Sequence, residues 1–114
     1  MTTSKTKETV KRMVRKMINI KVGSKAICSE GIRVVSQINE EGVYANGYTT
    51  PSGDYISFGS PKMIFPSGAL KAPTTIKHYG IERTFVPDFK KNVVKVIIKS
   101  LRKGEEMKDE FVIV

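Results

Sequence analysis

Tryptophan is absent from this 114-residue sequence, which holds one cysteine and one histidine. The lone Cys28 excludes an internal disulfide and any metal site built on two thiolates of one chain. Its neighbours Ala26 and Ile27 mark it as a small apolar residue, and such sparse cysteine accords with a reducing compartment. His78 stands in a Pro-, Thr- and Lys-rich segment with no carboxylate or cysteine beside it. There is no HExxH, no P-loop and no GxGxxG following a strand. Nucleophilic catalysis needs an activated Ser or Cys with an oriented base, and no such grouping is visible. The sequence therefore predicts a non-enzymatic chain with no metal, no cofactor and no small-molecule substrate. A run of about 18 apolar residues, the length of a membrane-spanning helix, is also missing. So is the apolar stretch of about 7–15 residues that marks a secretory leader. A cytoplasmic address is the resulting expectation.

Acidic residues are few as well. Eleven Asp and Glu face twenty Lys and Arg, a net charge of +9. A surplus of that size favours polyanionic partners. The length fits one domain, residues 1–114.

What is present is a run of short β-formers cut by turn residues between Val22 and Gly68. Ala26–Cys28 ends at Ser29-Glu30-Gly31, and Ile32–Ile38 ends at Asn39-Glu40-Glu41-Gly42. Val43–Tyr48 ends at Pro51-Ser52-Gly53-Asp54, and Tyr55–Phe58 follows. Turns at this spacing predict an antiparallel β-meander over residues 22–65 that forms a small curled sheet or sandwich, or a partly open SH3/OB-like barrel. Asn46-Gly47 competes with the nearby Pro51–Asp54 turn. Strands of ordinary length favour the second, with Gly47 as a bulge or kink.

Before the meander, residues 1–5 are expected to fray. Val10, Met13, Val14, Met17 and Ile18 share one face at the 3.6-residue period and predict an amphipathic helix over 6–19. After the meander, residues 66–80 read as a loop and 81–114 as strand, helix, strand. For that second helix Asp88 is a fitting N-cap and Gly104 a fitting C-terminal stop, although Val93, Val94, Val96, Ile97 and Ile98 suit a strand equally well. The fold class so predicted is α+β.

Gly42-Val43-Tyr44 and, ten residues later, Tyr55-Ile56-Ser57 resemble the paired tripeptides of the GIY-YIG nucleases. That resemblance would imply a following helix with a catalytic arginine and then a metal-binding glutamate. Here Ser57 replaces the final glycine, Pro61, Pro66 and Gly68 follow, and no arginine precedes Arg83. Val22-Gly23-Ser24-Lys25, Glu41-Gly42-Val43 and Gly47–Ser52 likewise resemble small β domains attached to restriction and methylation enzymes, which implies DNA binding. The Asn-Gly-Trp element of that family is missing.

Single-strand-binding barrels place aromatics among Lys and Arg, so that bases stack while phosphates are neutralised. On that basis Tyr44, Tyr48 and Tyr55 are candidate base contacts. Lys11, Arg12, Arg15, Lys16, Lys21 and Arg33 are candidate phosphate contacts, aided by Lys90, Lys91 and Lys95. The leading expectation is low-specificity binding of DNA or RNA. The alternative is a small regulatory protein, of the kind viruses use, that docks on a nucleic-acid-processing enzyme. One continuous basic face with exposed tyrosines would favour nucleic acid. Scattered charge beside exposed apolar surface would favour a protein partner.

Overall fold

The computed structural model describes residues 16–114. Eight strands are present among them: β1 Lys25–Cys28, β2 Gly31–Ile38, β3 Gly42–Thr49, β4 Tyr55–Pro66, β5 Thr74–His78, β6 Ile81–Asp88, β7 Val93–Ser100 and β8 Glu106–Ile113. One 3-10 turn, Ser67–Leu70, links β4 to β5. All ladders are antiparallel, in the order β4-β3-β2-β1-β8-β7-β6-β5. That is the order of an eight-stranded up-and-down barrel with one seam, β4 to β5, left unpaired among the described residues. The sheet curls into a half-barrel around a concave face.

The core lies on that face, at the end closed by the 3-10 turn. Ala26, Val35, Val43, Phe65, Phe85, Val94, Val96 and Ile113 come from seven of the strands, and Ile18, Ala69 and Leu70 plug the end. Phe65 of β4 meets Phe85 of β6 and Phe111 of β8, at ring-centroid distances of 6.3 and 5.7 Å. Three aromatics thus link β4 to β6 and β8 across the concave face.

The α+β expectation is overturned: the described chain is all-β apart from the 3-10 turn. Most of the predicted helix over 6–19 lies outside the described residues. The part within them, Lys16–Asn19, is not helical. Ile18 instead enters the core and donates its N–H to the Leu70 carbonyl, at 2.9 Å. The second predicted helix is strand β7. Its β-branched residues alternate Val94 and Val96 into the core with Lys95 and Ile97 outward, which a sheet accommodates and a helix does not. The helix-end signals serve turns instead. Asp88 Oδ1 accepts the Lys91 N–H in the β6–β7 turn, at 3.2 Å, and Gly104 lies in the β7–β8 turn. The loop expected over 66–80 contains the 3-10 turn and β5, and the terminal strand is the end of an eight-residue β8.

The turn readings inside the meander hold. Thr50 and Asp54 close the β3–β4 hairpin, the Thr50 N–H donating to the Asp54 carbonyl at 2.8 Å. Gly47 lies within β3 beside a register shift. A Cβ at this position would collide with the Tyr55 ring and the Ile56 carbonyl, so glycine is what allows β4 to cross so closely.

Candidate interaction site

Cross-strand register and burial assign side chains to the two faces. Val35 pairs with the buried Ala45, and Ala45 with Lys62, so Lys62 belongs to the concave side. Arg33 opposes the buried Ala26 and shares that side, as does Arg83, which opposes Ile98 and Ile76. Beyond the core, towards the open end, the concave face therefore carries three cations among aromatics. Arg33 lies 4.8 Å from the Tyr48 ring centroid and 5.9 Å from that of Phe111. Lys62 lies 5.4 Å from the Phe58 centroid, and Phe58 in turn is 5.8 Å from Tyr48.

Arg33 is fully engaged. Its guanidinium donates to Cys28 Sγ at 2.9 Å and to Glu30 Oε2 at 3.3 Å, and its side chain is only 13% exposed. Cation–π contact and this fork of donors hold it in one orientation. Asp109 faces the same region from β8. Partial burial pushes its carboxyl up, but hydrogen bonds from the Ser29 hydroxyl, the Glu110 N–H and the Ser29 N–H outweigh that, helped by the Arg33 charge. The result is a carboxyl below the ordinary range, ionised at neutral pH. Between these groups lies a cavity of about 180 Å³ walled by Ile64, Phe85, Val96, Ile98 and Phe111. Arg83 also lines it and makes no hydrogen bond or ion pair among the described residues.

The residues predicted from sequence are not gathered here. Lys11, Arg12 and Arg15 lie outside the described residues. Lys16 and Lys21 are exposed on the segment leading into β1. Arg33 and Tyr48 are neighbours on the concave face, but each is largely occupied by the other. Tyr44 pairs across the sheet with Met63 and Gln37, opposite in parity to the core residues Val43 and Phe65, and so lies on the convex face. Tyr55 also lies there, 61% exposed, in a row with Thr49, Ile32, Ile27 and Val112. Lys90 and Lys91 occupy the β6–β7 turn.

Lys95 sits on the convex face beside Asp88, at 3.9 Å, and opposite Glu110. A second convex row runs Lys77, Glu82, Lys99, Glu106, with Lys77 and Glu82 3.9 Å apart. A broad depression of about 630 Å³, whose lining includes Lys95, Lys108 and Glu110, is likewise mixed in sign. The convex lysines of the β5–β8 half therefore alternate with acids and do not form one basic face.

Sequence reasoning missed Phe58, Lys62 and Arg83, and it missed the seam itself. A signal was available: no Asp or Glu occurs from Tyr55 to Ile81, while Lys62, Lys71 and Lys77 do. That stretch contains both edge strands and their connection. Among the described residues no cluster of three His, Cys, Asp or Glu could hold a metal ion, and no helix is long and apolar enough to cross a membrane. Compared with known protein families, curated proteins and solved structures, the chain matches none.

Proposed function

We propose that this chain is a small non-enzymatic binding protein that holds an acidic segment of another protein at the open β4–β5 seam. The observation that carries the reading is the seam of an otherwise continuous up-and-down barrel, unpaired among the described residues, with both lips free of acids. Unpaired strand edges offer main-chain donors and acceptors that only another peptide chain matches in register. The dispersal of Tyr44, Tyr48 and Tyr55 over two faces, and the alternation of Lys with Glu on the convex side, favour a protein partner over nucleic acid.

Low-specificity nucleic-acid binding is the second reading, favoured by the charge of the N-terminal stretch. Five of the twenty cations but one of the eleven acids precede Lys16, and Lys11, Arg12, Arg15 and Lys16 fall within one short run.

Fluorescence anisotropy decides between the two. Labelled glutamate-rich peptide, single- and double-stranded DNA, and RNA are titrated separately at low and high salt. The first reading expects saturable peptide binding that persists at high salt, with nucleic acid bound weakly or not at all. The second expects nucleic acid to bind without regard to sequence, with a log–log salt slope of about 0.7 per phosphate contact for single strands or about 0.9 for duplex. Lys11→Glu/Arg15→Glu should then reduce that slope.

A further inference from the structure

We infer that the acidic segment binds as a ninth strand along the edge of β5 that no described residue pairs, through the main chain of Thr75 and Lys77. The inference rests on the protein-partner reading above. It begins with the β5–β6 hairpin. His78 pairs with Ile81 across the two-residue turn Tyr79-Gly80, whose φ angles are both positive, +50° and +76°. This is the turn that matches strand twist, and it makes His78 and Ile81 a mutually hydrogen-bonded pair. Antiparallel ladders alternate, so Thr74, Ile76 and His78 direct their N–H and C=O groups to β6. Thr75 and Lys77 direct theirs to the open seam.

The opposite lip is less suited to pairing. β4 carries a break in register between Gly47↔Ser57 and Ala45↔Lys62, with Gly59 at φ +78° and Pro61 inside it. Pro61 has no N–H, and such interruptions protect an edge from strand addition. β5 has no shift along its five residues.

Side-chain parity then sets the chemistry of the occupant. Residues opposite Thr75 and Lys77 point outward, where an acid meets the exposed Lys77 amine from the side opposite Glu82, which approaches it from β6 at 3.9 Å. The residue opposite Ile76 points inward, towards Ile76 and Arg83 and the cavity walled by Ile64, Phe85 and Ile98. An alternation of outward acid and inward apolar residue matches Lys77 on one face and Ile76 on the other. A second copy of this chain would bring Lys77 against another basic lip, and like charges on facing strands destabilise pairing.

The experiment uses the full chain and an acetylated Glu-Val-Glu-Val-Glu-Val peptide, with the Lys-Val counterpart as control. Amide hydrogen exchange is followed by NMR. On peptide addition the Thr75 and Lys77 amides should become protected, while that of Ile76, already paired with β6, should not change. Thr75→Pro removes an edge donor and should weaken binding roughly tenfold, the scale of one lost main-chain hydrogen bond. Thr75→Val, which keeps the N–H and loses only the hydroxyl bonded to Thr84, should retain wild-type affinity.

Peptide binding without protection at Thr75 and Lys77 would overturn the edge assignment and leave the protein-partner reading standing. Absence of peptide binding, with nucleic acid bound instead, would overturn both. Protection of the same amides without peptide, together with a dimer by light scattering, would assign the edge to a second copy and overturn the acidic segment as its occupant.

Discussion

Strands β5 to β8 pair residue for residue, whereas the β2–β3 and β3–β4 ladders each shift register twice. The regular half keeps strict alternation, with Val94, Val96 and Phe85 inside and Lys95, Lys99 and Glu82 outside. The irregular half uses its shifts to bend. A bulge adds local twist, and here β3 and β4 curve until Phe65 reaches Phe85 and Phe111 on the opposite half. One half is regular in register, and the other carries the register shifts.

Phe65→Ala tests that division most severely. Phe65 is buried between the halves, and its loss should cost about 3–5 kcal/mol, against about 1 kcal/mol for Ile97→Ala on the convex side of the regular half. Urea denaturation monitored by tyrosine fluorescence measures both. Equal losses would mean that the halves are not held by the aromatic bridge.

Gly47→Ala comes next. The new Cβ meets the Ile56 carbonyl and the Tyr55 ring, and because the carbonyl is backbone the clash is not relieved by a rotamer change. A loss of about 1–3 kcal/mol is expected. A neutral result would show that β4 does not press on β3 as closely as described.

Arg33→Lys should cost about 1 kcal/mol, through loss of the planar stack on Tyr48 and of the fork to Cys28 and Glu30. Lys99→Ala, an exposed cation in the regular half, should stay within about 0.5 kcal/mol. The contrast distinguishes a built-in cation from a solvated one.

Asp109→Asn is the smallest effect. The Asp109 carboxyl is held below its ordinary value in the folded chain, so the ionised form stabilises the fold above the unfolded pKa, and that contribution is lost as pH falls through the folded one. The variant should therefore melt slightly below wild type at neutral pH, and the gap should close in acid. A gap that does not depend on pH would assign the role of Asp109 to geometry alone.

The meander was legible because its signals are local. Asn39 accepts the Glu41 and Gly42 N–H groups at 2.9 and 3.1 Å, and Pro51–Asp54 turns within five residues of chain. Residues 88–103 were not legible in the same way. An N-cap residue, a terminal glycine and a β-branched run are each compatible with two structures. The choice fell to β6 and β8, which flank β7 with two complete eight- and seven-residue registers that a helix there would forfeit. The candidate site divides likewise. Arg33 and Tyr48 were identified as residue types, but their mutual contact comes from the β2–β3 register that sets Ile32 opposite Thr49, and Arg83 joins them only because the sheet curls.

Charge excess, scarcity of cysteine and histidine, and the positions of the tight turns follow from composition and short-range chemistry, and they can be read without a fold. Which lysines face acids, which tyrosines share a surface and which strand edge stays open depend on pairing between distant residues. Ala26 meets Ile113 across nearly the whole chain. Such contacts are set by the joint burial of one face, a property of the assembled sheet that no single segment carries.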